Sequence, residues 1–279
     1  MTDNVKYKKN LVLSGGGVKG IAHVGALFGL QTLNLLDKIT TFSVASVGAI
    51  VASLYIIGYT PAELYDFVKL FDFQKLKNID INNISNYGLD NGEKLNYVIK
   101  RLIKNKCQNE NITLKEIYET YNKKIIYSVV CINDMNVYYL SYETDPEIEL
   151  YKVIRMSSSI PLYFCPVLYN GKYYIDGGAW DNYPMCCFEN QLDETIGLFL
   201  YGGKVTVKDI EDTETYLLQI MRCLYYSFTM QARKGYEKNT INIHLEHVSV
   251  LEFEITQEMK DILFIIGFQS VLEQKDKLF

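Results

Sequence analysis

Three short segments carry residue types that can act together on a carbonyl group. Leu11-Val12-Leu13-Ser14-Gly15-Gly16-Gly17-Val18-Lys19-Gly20 runs an apolar stretch into a glycine-rich turn. Thr40-Thr41-Phe42-Ser43-Val44-Ala45-Ser46-Val47-Gly48 runs a second apolar stretch through a serine. Tyr173-Tyr174-Ile175-Asp176-Gly177-Gly178 ends a third on a carboxylate. A serine on a tight strand-to-helix turn has the context of a nucleophile elbow. An aspartate at a strand end can take its proton and return it. Bare backbone N–H groups at a helix start can hold the negative charge that develops on a carbonyl oxygen.

Each segment alone leaves other readings open. Gly15, Gly17 and Gly20 fit G-x-G-x-x-G. Dinucleotide binding would also need an acidic residue at the end of the second strand, and Asp37 precedes that strand. A phosphate loop would end Gly-Lys-Ser/Thr, whereas the order here is Lys19-Gly20-Ile21. An oxyanion hole and a structural turn remain. Consecutive glycines are entropically costly, which favours a close backbone approach. The elbow is half of G-x-S-x-G, because Gly48 is present but Val44 replaces the other small residue. A buried helix-capping serine is the alternative for Ser46, and an ordinary Asp-Gly turn the alternative for Asp176.

The surrounding periodicity supplies elements to place these groups. Short apolar runs at Leu11–Leu13, Thr40–Ala45, Lys172–Ile175, Thr195–Leu200 and Thr240–Val248 read as strands. Ile125–Ile132 and Asn136–Ser141 read as a hairpin. Helices are predicted over Ile21–Leu36, Gly48–Gly58, Thr60 to about Phe71, Lys94–Lys104, Leu114–Tyr121, Ile148–Ser158, Tyr216–Arg233 and Gln257–Glu273. Residues 72–92 read as a polar excursion with little regular structure. The alternation predicts an α/β fold with a mainly parallel sheet.

Composition narrows the partners. The 279 residues are 48% hydrophobic and 22% charged with a net charge of −5, which excludes wholesale disorder and a broad nucleic-acid-binding face. The six cysteines show no zinc-ligand spacing and read as reduced, mostly buried thiols. His244 and His247 lack a third ligand. No apolar run reaches the roughly 18–20 residues of a membrane span, and the polar start is no signal peptide. The expectation is a cytoplasmic or membrane-peripheral protein. Lys69–Lys77 reads as an exposed loop, with contact to a membrane surface as the alternative. The apolar stripe Met259, Ile262, Leu263, Ile266 and Phe268 reads as core packing. His23 reads as a packing residue. Lys19 reads either as a positive field near the oxyanion or as a solvent-exposed helix start.

Taken together, Gly15 to Gly20, Ser46 with Gly48, and Asp176-Gly177-Gly178 resemble in order and spacing the patatin-like phospholipases. His23 to Leu27, Ser157-Ser158-Ser159-Ile160-Pro161, Phe164-Cys165-Pro166, Asn182 with Pro184, and the tail from Phe253 to Gly267 agree, so the resemblance spans Leu11 to Leu272. It implies a three-layer α/β/α fold in one domain over residues 1–279, with a core at about 9–203 and an extension at about 204–279. It implies a lipid acyl hydrolase of phospholipase A or lysophospholipase type, acting on a membrane phospholipid or other lipid ester. Ser46 would be nucleophile, Asp176 base, and Gly15, Gly16 and Gly17 the oxyanion hole. Val18, Lys19, Gly20, Val44, Gly48, Gly177 and Gly178 would support these, with neither metal nor cofactor. Family members usually carry Gly where this chain has Val44. A β-branched residue there would strain or shift the turn. The alternative is therefore a lipid-binding homologue with little or no activity, in which Val44→Gly would raise turnover.

Overall fold

The computed structural model describes residues 7–202, 206, 208–246 and 253–279. The chain starts as strand–helix units: β1 (Asn10–Leu13), α1 (Ile21–Thr32), β2 (Thr41–Val44), α2 (Val47–Ile56) and α3 (Pro61–Leu70). β1 is buried along its whole length, as a central strand of a covered parallel sheet must be. α1 and α2 are apolar nearly all round and therefore sit inside. α3 begins on a capping box, with Thr60 and Glu63 each satisfying the other's backbone N–H and Pro61 in the first turn.

Then follow β3 (Gly88–Asp90), α4 (Glu93–Cys107), α5 (Leu114–Tyr121), β4 (Lys124–Cys131), β5 (Asn136–Leu140) and α6 (Leu150–Ser157). The remainder is β6 (Leu162–Phe164), β7 (Val167–Tyr169), β8 (Lys172–Asp176), β9 (Thr195–Tyr201), α7 (Thr213–Ala232), β10 (Thr240–His244) and α8 (Gln257–Glu273). The main sheet runs β10-β9-β1-β2-β4-β8-β7, with β5 also on β4. β10, β9, β1, β2 and β4 are parallel, and β5, β8 and β7 join antiparallel. Both faces are covered. Leu11 and Leu13 enter the large core, while Val12 enters a second core with Tyr183, Met185, Phe188 and Phe199. This is a mixed α/β architecture around a mostly parallel sheet.

Several boundaries depart from the sequence reading. α1 stops at Thr32, and Leu36–Lys38 forms a separate 3-10 turn. The excursion at 72–92 is structured: 3-10 turns at Phe73–Leu76 and Ile81–Asn86 start on Asp72 and Asp80, whose carboxylates accept the N–H groups of Gln74 and Asn82. β3 then pairs in parallel with β6. These turns rest on local carboxylate caps, which an apolar periodicity search does not register. The expected strand to Val248 ends at His244, and residues 247–248, with His247, lie outside the described residues, as do 1–6, 203–205 and 207. Of the cysteines only Cys131 is buried, and none forms a disulfide. Within 69–77, Leu70 is exposed, while Phe71, Phe73 and Leu76 pack on the core.

The C-terminal helix packs on α1. Of the expected stripe, Leu263 is buried, Met259 and Ile266 pack on the core, Phe268 lies against the Phe28 ring and Ile262 is exposed; the most buried line, Lys260, Leu263, Gly267, Ser270 and Val271, is offset from it. The offset follows from glycine. A Cβ on Gly25 would overlap the Phe264 carbonyl, and one on Gly267 would overlap the Ala22 carbonyl, so the two helices cross backbone to backbone. The Lys260 ammonium donates to the carbonyls of Lys69 (3.3 Å) and Phe71 (2.6 Å), closing the end of α3. Among the described residues, no helix is long and apolar enough to cross a membrane.

Candidate active site

β1 and β2 are adjacent with Leu13 opposite Val44, so the glycine loop and the Ser46 turn leave the sheet side by side. β4 lies next, with Tyr127 opposite Val44. β8 runs against β4 and sets Asp176 opposite Val129. All three segments therefore meet at the carboxyl edge of the parallel strands, where open α/β sheets bind ligands.

Ser46 is the sharp point of its turn, at φ 52° and ψ −125°. A non-glycine residue held there costs about 1–3 kcal/mol, sustained by its surroundings. Its N–H donates to both the carbonyl and the hydroxyl oxygen of Ser157, each at 3.1 Å. Gly48 lets the turn close, because a Cβ there would stand 2.6 Å from the Leu13 carbonyl oxygen. Val44 is fully buried in regular strand register between Leu13 and Tyr127. The backbone strain falls on Ser46, two residues further on.

Asp176 is fully buried. Its N–H donates to the Ser159 carbonyl at 2.9 Å, and its Oδ1 accepts the Gly178 N–H at 2.7 Å. Among the described residues Oδ2 has no hydrogen-bond partner. Burial pushes the carboxyl up to about 7, while the neighbouring Ser46 hydroxyl, the Gly178 N–H and the Arg155 charge pull it back. Such a carboxyl near neutral pH can both take and return a proton. Gly177 packs against the Ser128 carbonyl. One helix end thus sets both groups: Ser157 holds the backbone of Ser46, and Ser159 that of Asp176.

The glycine loop divides its labour. The Gly15 N–H is already committed to the Asn182 carbonyl at 3.0 Å, so Gly15 is a contact residue rather than a free donor. A Cβ on Gly15 would overlap Asn182 Oδ1 and stand 2.9 Å from the Ser46 Cβ. Gly16 and Gly17, the latter at φ 56°, keep N–H groups without a partner among the described residues. Val18 is buried, and Gly20 faces the Val47 side chain. Lys19 is buried, not solvent-exposed; its ammonium donates to the Gly202 carbonyl at 2.8 Å, and burial lowers its pKa to about 8. His23 lies beneath the loop with Nε2 2.8 Å from the Ser14 carbonyl. Burial lowers its pKa to about 4, so the ring is neutral at pH 7 and donates from Nε2.

α7 lies over the aspartate. The Tyr225 ring packs on Gly178, where a Cβ would stand 2.8 Å from Cε1, and its hydroxyl is buried. Asn182 Nδ2 donates to Thr229 Oγ1 at 2.8 Å. On the other side of the Ser46 turn, a cavity of about 110 Å³ opens from Gly17 and Val47 and runs past Ile50, Leu54, Leu64 and Leu102. Its wall is almost wholly apolar. Among the described residues, no group of three or more His, Cys, Asp or Glu side chains is arranged to hold a metal.

The sequence reading missed the Ser157–Ser159 clamp as a device, the buried Arg155 beside it, and the cover by Tyr225 and Thr229. Three hydroxyl residues ending a helix just before Ile160-Pro161 were the available signal for the clamp.

Comparison with known proteins identifies the family. A family model described as patatin-like phospholipase matches residues 11–185. A protein of Invertebrate iridescent virus 6, named "Probable lipid hydrolase 463L", is 35% identical over 186 residues, a match covering 64% of this chain and 63% of that protein. An uncharacterized protein of Acanthamoeba polyphaga mimivirus is 32% identical over 287 residues, covering 97% of this chain and 94% of its own length. Among solved structures, VipD from Legionella pneumophila superimposes with a TM-score of 0.63 at 18% identity, covering 98% of this chain and 67% of VipD. The type III effector ExoU gives 0.56 at 15% identity, covering 98% of this chain and 53% of ExoU. The two structures speak for the fold.

Proposed function

Because the chain belongs to the patatin-like phospholipase family, we propose that it is a serine hydrolase of lipid carboxylic esters, with Ser46 as nucleophile and Asp176 as general base. The observation that carries the reading is the meeting of a strained, buried Ser46 with a buried Asp176 whose carboxyl neighbours the Ser46 hydroxyl and whose pKa is raised to about 7. In the first step Ser46 Oγ attacks the ester carbonyl carbon and its proton passes to Asp176. The Gly16 and Gly17 N–H groups receive the tetrahedral oxyanion. Collapse breaks the ester C–O bond, the leaving alcohol takes the proton from Asp176, and the acyl group stays on Ser46. Water then attacks the acyl-enzyme, again giving its proton to Asp176, and the carboxylic acid leaves as the proton returns to Ser46.

The apolar cavity beside Gly17 and Val47 supports a long-chain acyl substrate, since its wall offers dispersion contact and no polar partner. The unstrained burial of Val44 supports an active enzyme over an inactive homologue.

Fluorophosphonate labelling of the purified protein tests the reading. Labelling should occur in the parent, disappear in Ser46→Ala and fall sharply in Asp176→Asn. A folded parent that does not label would overturn it. Where labelling holds, a series of acyl esters should favour long over short chains, and Leu54→Trp, which fills the cavity, should narrow that preference.

A further inference from the structure

Arg155, in the last turn of α6, is a buried cation that the dyad does not directly contain. Its guanidinium donates to the Ser159 hydroxyl and, at 3.3 Å, to the Cys165 carbonyl. It lies 4.6 Å from the centre of the Phe164 ring, and Gly92 leaves it room, since a Cβ there would overlap it. Among the described residues Nε has no partner and no carboxylate stands within 4.0 Å of the guanidinium. A buried charge without a partner is expensive, so an unpaired guanidinium needs compensation from charges a little further off.

Two buried carboxylates supply it. Asp90 is fixed by the N–H groups of Gly92 (2.7 Å) and Asn78 (2.6 Å), and its field and that of Asp176 both favour the guanidinium cation. The groups facing Arg155 are thus Asp90 at the end of β3, Cys165 after β6, and Asp176 on β8. Those facing Asp176 are Arg155 from α6, Tyr225 from α7 and the Ser46 hydroxyl, while β4 presents Val129 and Ser128 at that level. There is also a bonded route: Arg155 binds the Ser159 hydroxyl, and the Ser159 carbonyl receives the Asp176 N–H.

We propose that Arg155 is a positioning residue for Asp176: through its charge, shared with Asp90, it favours the anionic form of that carboxyl, and through Ser159 it holds the carboxyl's backbone. This rests on the reading of Asp176 as the base. The sign follows from electrostatics. Removing a neighbouring cation makes the carboxylate harder to form, and removing a neighbouring anion makes it easier.

The test is the pH profile of ester hydrolysis in the parent, Arg155→Met, Arg155→Lys and Asp90→Asn. Activity should rise with pH as Asp176 ionises. The midpoint should move up by about one pH unit in Arg155→Met, stay near the parent in Arg155→Lys and move down in Asp90→Asn. Damage to the fold lowers rates without shifting midpoints in opposite directions. Infrared titration of the Asp176 carboxyl band, identified by its loss in Asp176→Asn, reads the same shifts without turnover. A protein that hydrolyses no ester yet shows the infrared shifts would refute the function and keep the electrostatic link. Unmoved midpoints in Asp90→Asn and Arg155→Met overturn the proposal. If Arg155→Met does not fold, an unmoved Asp90→Asn does so alone.

Discussion

The two halves of the site are held by different means. On the Ser46 side, position comes from local backbone. A buried strand turns into a buried helix over a single residue, and Gly48 and Gly15 clear the space it needs. On the Asp176 side, little is local beyond the bond from Gly178. Ser159 fixes the backbone, Arg155 and burial set the charge, and Tyr225 and Thr229 of α7 cover the loop. Ser46 is thus preorganised by geometry and Asp176 by its environment. The first depends on room for backbone; the second depends on which charges and rings surround one carboxyl.

The contrast is broken most severely at Asp176. Asp176→Asn keeps the shape and removes proton transfer, so hydrolysis should fall by about 1000-fold or more with far-UV circular dichroism unchanged. The same substitution reads the environment through stability. Asp176 has a raised pKa in the folded state, so its stabilising protonated form is fully present below the unfolded pKa near 3.8 and lost as pH rises through about 7. Relative to the parent, Asp176→Asn should therefore gain stability between pH 5 and pH 8, by on the order of a few kcal/mol, measured by urea unfolding at each pH. An equal difference at both pH values would show that Asp176 is not destabilised by ionising.

Gly15→Ala probes the other half. The added methyl meets Asn182 and Ser46, and a displacement of about 1 Å should cost on the order of 100-fold in turnover, with KM changed far less. Retained turnover would mean that the loop yields. Val44→Gly should destabilise by about 2 kcal/mol, seen as a lower Tm, because it empties a buried strand position, and turnover should not rise. Higher turnover would restore the expectation drawn from the family pattern. The smallest effect should come from Thr229→Val, which removes the bond to Asn182 and should cost about 1 kcal/mol, or roughly fivefold in rate. Rate loss there with Ser46 labelling unchanged would place α7 with the Asp176 half rather than with the Ser46 half.

Legibility in the sequence follows the same division. The strand, turn and helix around Gly15–Gly20 and around Ser46 each occupy a dozen neighbouring residues, so composition and spacing were enough to find them. The end of β8 was found for the same reason. The Ser157–Ser159 clamp was visible only as a run of hydroxyl residues, because its partners Ser46 and Asp176 lie far away along the chain. Gly15 was misread as a donor for a similar reason: its acceptor, the Asn182 carbonyl, arrives from the other end of the core. Arg155 gave no periodic signal, since its environment is assembled from β3, β6 and β8. Residues 72–92 were read as irregular because their turns are capped by Asp72 and Asp80 rather than patterned by apolar residues.

The backbone crossing of Gly25 on Gly267 also bears on the order of folding. α1 follows directly on the glycine loop, yet the groove along it is filled by α8, which lies far along the chain. Contacts of such long sequence separation form late, since loop closure must come first. During synthesis the Gly25 face of α1 therefore stays uncovered until α8 has been made and docks. The first helix of the fold thus depends for its cover on a segment far along the chain, which makes its packing a late event in folding.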